Sequence, residues 1–131
     1  MTGLDTNVLV RYLTYDDATQ TAAAKRVMNS LTFDAPGFLS LIVIAELVWV
    51  LAFSYRYQKK EIEQVLDNLL RTRELVIERS DIVSQALRSF RTGRADLADY
   101  LIERCAHSAG CESTVTFDRK AATVPGVRLL P

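Results

Sequence analysis

The chain predicts an α/β fold with a mainly parallel sheet of short strands covered by helices. Three observations predict it. Short apolar or β-branched segments alternate with longer segments of helical period. Two of the strand candidates are followed at once by an aspartate, Asp5 and Asp118. No repeat, low-complexity stretch or linker interrupts the pattern, so residues 1–131 read as one domain.

Met1–Leu4 is the first strand candidate and ends at Asp5. Asn7–Leu13 and Asp17–Leu31 follow as helices. Asp16 or Asp17 is placed to cap the second, and its TAAAKRVM stretch favours helix. Pro36-Gly37 marks a turn, Phe38 and Leu39 a short strand, and Ser40 an N-cap. The helix after Ser40 lies in the run FLSLIVIAELVWVLAF, Phe38–Phe53, in which Glu46 is the only charge. That run is short of the roughly 20 residues that span a bilayer. It reads as a core helix with a carboxylate set into it.

Lys59–Thr72 is amphipathic, with Ile62, Val65, Leu66, Leu69 and Leu70 on one face. Glu74–Glu78 is a strand candidate. Asp81–Phe90 is helical, with Ile82, Val83, Ala86, Leu87 and Phe90 on one face, and Thr92-Gly93 breaks it. Asp96–Ser108 is another helix, and Gly110 suits its C-terminal end. Ser113–Phe117 is a β-branched strand ending at Asp118. Pro125-Gly126 turns the chain into a last strand, Val127–Leu130.

Composition narrows the function classes. With 49% apolar residues the chain can bury a full core without disulfides. Lys+Arg and Asp+Glu balance at 16 each, so no global positive field advertises nucleic-acid binding. The two cysteines, Cys105 and Cys111, fit no zinc spacing and read as free thiols of a reducing cytoplasm. MTGLDTNVLV has no basic n-region and is not read as a signal peptide. The single histidine, His107, is expected at the surface, which leaves a histidine general base without support. There is no GxSxG and no phosphate-binding Walker loop.

The acids carry the chemical signal. Asp5 and Asp118 end strands, Glu46 lies in an apolar helix, and Asp99 lies in the first turn of a helix with Asp96 three residues earlier. Each has a local reading: Asp5 as a helix cap, Asp96 and Asp99 as a capping-box-like pair, Asp118 as a turn residue, Glu46 as an ion-pair partner for an arginine. Jointly they suggest convergence at one sheet edge, where ligands bind in such folds. Carboxylates held that close repel unless a cation neutralises them, and all-oxygen donors favour Mg²⁺ or Mn²⁺. Such ions suit phosphoryl chemistry.

Four segments then match a known family in order. LDTNVLVRYL at Leu4–Leu13, LSLIVIAELVWVL at Leu39–Leu51, ADLADYLIERCAHSAGC at Ala95–Cys111 and TVTFDRKA at Thr114–Ala121 resemble the PIN-domain ribonucleases. More closely, they are similar to the VapC-type toxins of type II toxin–antitoxin modules. The resemblance implies a PIN-like fold, a homodimer and an Mg²⁺- or Mn²⁺-dependent endoribonuclease that hydrolyses RNA. It makes Asp5, Glu46 and Asp99 the core metal-site acids and Asp118 the fourth. Asp96 matches an additional acid that could compete with Asp99 as ligand, and Asp99 is favoured because it directly precedes YLIERCA as the family's metal acid does. Thr6, Asn7 and Thr116 would orient the carboxylates. A cognate VapB-type antitoxin is the implied partner. Arg11, Arg94, Arg119 and Lys120 lie beside the motif acids in sequence and are the candidate contacts for RNA phosphates.

Three other readings stand beside this one. A haloacid-dehalogenase-like phosphatase needs a second Asp two residues after the first, and that position is Asn7. A non-catalytic binding module would not need all four acids. A housekeeping PIN-domain RNA-processing nuclease shares every motif. Trp49, Tyr55 and Tyr57 follow Glu46; such an aromatic cluster suits a dimer surface or an antitoxin groove, while Trp49 itself reads better as core packing.

Overall fold

The computed structural model describes all residues, 1–131. The chain divides into two compact units, Met1–Ser80 and Asp81–Pro131.

The first unit begins with β1 (Thr2–Gly3), and Asp5 then caps α1 (Thr6–Thr14). Asp17, not Asp16, caps α2 (Ala18–Ser30), accepting from the Gln20 N–H at 3.0 Å. β2 (Gly37–Leu39) leads through Ser40 into α3 (Leu41–Phe53). The Ser40 hydroxyl accepts from the Val43 N–H at 3.1 Å, the cap expected from sequence. α4 (Lys59–Arg71) opens with a reciprocal cap between Gln58 and Glu61, and β3 (Leu75–Ile77) follows. The sheet order is β1-β2-β3 with both pairings parallel, so β2 is central. α1 packs on α2 and α3, α3 on α4, and α4 on β3. α1 and α3 are each followed by a left-handed residue that is not glycine, Tyr15 and Arg56.

The second unit holds nearly all of α5 (Ser80–Thr92), then α6 (Leu97–Ser108), β4 (Thr114–Thr116), a 3₁₀ turn at Ala121–Thr123, and β5 (Val127–Leu129). β4 and β5 pair in parallel. The expected face of α5 is buried. Gly93 ends α5 for a reason of packing: a Cβ there would stand 1.7 Å from the Tyr100 hydroxyl. Gly110 follows α6 with φ of +97°, a conformation glycine adopts at little steric cost.

Every strand pairing is parallel, so the fold class agrees with the sequence reading. One expectation is overturned. α3 is not a core helix all round. Ile44, Leu47, Val48 and Leu51 are buried, but Ile42, Trp49 and Phe53 are exposed, and so is Glu46 between them. Trp49 is 59% exposed and stacks on Phe53, with ring centroids 5.2 Å apart. An apolar residue on nearly every side of a helix erases the periodicity that would have shown which face is outside. No helix is long and apolar enough to cross a membrane.

Candidate active site

Asp5 stands where β1 gives way to α1, and its carboxylate accepts from the Thr6 N–H at 2.8 Å. Thr6 is buried, and its hydroxyl donates to Oε1 of Glu46 on α3. Thr6 therefore holds two carboxylates at once, Asp5 through its backbone and Glu46 through its side chain. Neither acid forms an ion pair. The alternative for Glu46, a structural bridge to an arginine, is absent. Its expected burial is absent too: Glu46 reaches back from an exposed helix face to Thr6. Asn7 is exposed and bonds to neither acid. It lines a cleft of about 320 Å³ between α1 and α2 with Arg11, Gln20 and Val27.

The second unit holds the other acids. Asp96 and Asp99 form a reciprocal cap at the start of α6: the Asp96 carboxylate accepts from the Asp99 N–H, and Asp99 Oδ2 accepts from the Asp96 N–H at 3.1 Å. Asp118 Oδ1 accepts from the Lys120 N–H at 2.8 Å, and the Asp118 N–H donates to the Thr116 hydroxyl at 3.0 Å. Thr116 thus fixes the backbone that carries Asp118, not its carboxylate. Burial pushes the Asp99 carboxyl above the usual range. The Asp96 N–H bond and Lys120 oppose this rise, while the charges of Asp96 and Asp118 add to it.

The local readings of Asp5, Asp96, Asp99 and Asp118 are all realised as backbone hydrogen bonds. They do not compete with a ligand role. A carboxylate has two oxygens and about four lone-pair sites, and a cap uses one. Asp96 is the most committed, because its Oδ1 also takes the Lys120 ammonium at 2.8 Å. Asp99 keeps Oδ1 free of any protein partner.

The cations sort in the same way. Arg11 is held by Asp16, Gln20 and Tyr55 at 2.8, 2.6 and 3.2 Å. Lys120 is paired with Asp96. Arg94 and Arg119 are exposed, with no hydrogen bond or ion pair. The Arg11–Asp16–Tyr55 network escaped sequence reasoning, because Tyr55 lies 39 residues from Asp16. His107 is exposed, as expected.

The family model of the PIN domain matches residues 4–127. The chain belongs to the PIN-domain family. The match spans all four acidic segments of the sequence and both units of the structure. No curated protein matches the chain. PIN domains are generally nucleases and typically use divalent metal ions, so membership points to hydrolytic nuclease chemistry.

The donor set can be tested against that expectation. No group of three His, Cys, Asp or Glu side chains is assembled as a ready-made ion cage. What the structure does present is hard oxygen donors. Asp5 and Glu46 meet at Thr6, and Asp99 has a free oxygen beside two further acids. Carboxylate oxygens are donors that Mg²⁺ and Mn²⁺ take in preference to the nitrogen and sulfur donors common at zinc.

Proposed function

We propose that this PIN-domain protein is a Mg²⁺- or Mn²⁺-dependent endoribonuclease, and the toxin of a type II toxin–antitoxin module. Asp5, Glu46, Asp99 and Asp118 are its catalytic and metal-holding acids. The observation that carries the reading is Thr6, which gathers Asp5 and Glu46 where neither has a basic partner. Carboxylates without a basic partner are hard oxygen donors available to a divalent cation. Between the two acids at the start of α6, Asp99 is the better ligand and Asp96 the support, because Asp96 already holds both the cap and Lys120.

When bound, the ion supplies positive charge at the phosphoryl group and acidifies water for attack. The residues do the rest. Thr6 holds Asp5 through its N–H and Glu46 through its hydroxyl. The Asp99 carboxylate, with Oδ1 unengaged, would serve as a ligand to the ion. Arg94 and Arg119 are free to meet phosphates, more so than the paired Arg11 and Lys120.

The toxin role rests on the four ordered segments that resemble VapC-type toxins. A VapB-type antitoxin and a second copy of the chain are its proposed partners. An acidic site of this kind suits an arginine from such an antitoxin.

Purified protein with RNA and Mn²⁺ tests the enzyme. Asp5→Asn and Asp99→Asn should each lower cleavage by about 100-fold or more. Full cleavage by either variant, or by wild type in excess chelator, overturns the assignment. Expression in cells tests the toxin. Growth arrest by wild type but not Asp5→Asn, relieved by a small neighbouring reading frame, supports it. Normal growth identifies a housekeeping nuclease instead.

A further inference from the structure

The cleft between α1 and α2 holds none of the acids, yet it begins beside them. Asn7, which lines it, is two residues from Asp5, so their Cα atoms are at most about 7.6 Å apart. Asn7 and Arg11 lie one helical turn apart on α1, and Gln20, Ala23 and Val27 share one face of α2. The cleft measures about 320 Å³, at the small end of the roughly 300–1,000 Å³ usual for small-molecule sites. Its walls are aliphatic, from Val8, Ala23 and Val27. Arg11 is the only charged residue lining it, and Asp16 already meets that charge at 2.8 Å. The cleft therefore suits a neutral ligand better than a phosphate or a carboxylate. Its unused polar groups are mainly donors. Arg11 Nε can only donate, so Gln20 gives it the amide oxygen, at 2.6 Å, and the Gln20 NH₂ group is left without a protein partner. Arg11 Nη2 and the Asn7 amide have no partner either.

We propose that this cleft is a subsite for one unpaired keto base of the RNA, guanine or uracil, beside the bond that is cut. The inference rests on the nuclease reading above and names the base preference of that same site. A base is flat and neutral, with apolar faces for aliphatic walls and a polar edge for the donors. Guanine and uracil present carbonyl acceptors on that edge, which the Gln20 NH₂ group and Arg11 Nη2 can meet. Adenine and cytosine present an exocyclic amine instead, which would set donor against donor. That mismatch leaves polar groups unpaired, and this is what discriminates. Asn7 joins the cleft to the Asp5 end of α1, so a nucleotide next to the reacting phosphate is within reach. Arg11 here orients Gln20 and reads a base, a task its pairing with Asp16 leaves open.

Two measurements test this: cleavage ends mapped in a randomised single-stranded RNA pool with Mn²⁺, and fluorescence anisotropy of a short labelled RNA in an Asp5→Asn background, where the RNA survives. Wild type should favour guanine and uracil at one position flanking the cut. Gln20→Glu keeps the acceptor for Arg11 and loses the donors. It should shift the ratio at that position towards adenine and cytosine by about 10-fold. Ala23→Leu fills the cleft from an exposed position and should weaken RNA binding by about 10-fold. Ala22→Leu, the same change one residue along and outside the cleft, should leave binding within about twofold. An unchanged base ratio in Gln20→Glu, or equal binding by the two leucine variants, overturns the proposal and leaves the enzyme standing. Absence of cleavage by wild type overturns the enzyme reading, and this proposal with it. Unchanged RNA binding by Ala23→Leu with lost inhibition by the neighbouring reading frame's product assigns the cleft to a protein partner instead. Leucine is a strong helix former, so both leucine variants should fold, which melting curves check.

Discussion

Thr6 turns two separate acids into a pair. Its N–H donates to Asp5 and its hydroxyl to Glu46, and the residue is buried. Thr6→Val keeps the shape and removes the hydroxyl. It should leave the fold intact but weaken Mn²⁺ binding by about 10–100-fold, as loss of an orienting partner does. Titration calorimetry with circular dichroism checks both halves of that outcome. Asp99 makes the opposite point about stability. Its pKa is raised in the folded chain, so ionising it disfavours folding. Stability should fall as pH rises from the ordinary carboxylate value through the raised one. Asp99→Asn keeps an acceptor for the Asp96 N–H and removes the charge. Metal-free, it should be more stable than wild type at neutral pH, by less than about 1 kcal/mol because solvent screens the site. It should also lose the rise in melting temperature that Mn²⁺ gives wild type. A melting temperature below wild type at neutral pH would contradict this.

At the scale of elements, α3 is two helices in one sequence. One face is core, with Leu47 and Leu51 fully buried. The other bears Ile42, Glu46, Trp49 and Phe53 at spacings of one helix stripe. Leu47→Ala should cost about 2–5 kcal/mol in denaturant unfolding, as a cavity in a packed core does. Trp49→Ser should cost less than about 1 kcal/mol in the monomer, since its ring is mostly in water already. Near-equal costs would show that the outer face is packed. The caps were easier to read than the faces. Asp5, Asp17, Ser40 and Asp96 all cap the helices that follow them, because capping depends on three or four consecutive residues. The ends at Tyr15 and Arg56 were hidden, because each places an ordinary residue in a left-handed conformation.

On the scale of the whole molecule, zero net charge constrains how the proposed RNA substrate would be held. Long-range attraction is weak, so affinity must come from local contacts. Of the four candidate contacts Arg11, Arg94, Arg119 and Lys120, the structure leaves Arg94 and Arg119 exposed and unpaired. Replacing both with Gln should weaken RNA binding across sequences and reduce the salt slope by about 1.4, from roughly 0.7 per phosphate contact on a single strand. Arg11→Gln should change the slope little, because its charge is already met by Asp16. Binding measured by fluorescence anisotropy across a salt series distinguishes them.

The sequence by itself determined the family, the parallel α/β class, the order of elements and the order of the acidic segments. These follow from local spacing and from motifs contiguous in the chain. Only the tertiary structure decided which groups those acids bond. Thr6 meets Glu46 across 40 residues, and Lys120 meets Asp96 across 24. Such pairs depend on how elements pack, and no local period encodes them. The same holds for Glu46. In sequence it is a lone charge inside an apolar run. In the fold it lies on that helix's open face, turned back to Thr6, because packing chose which side of α3 became core.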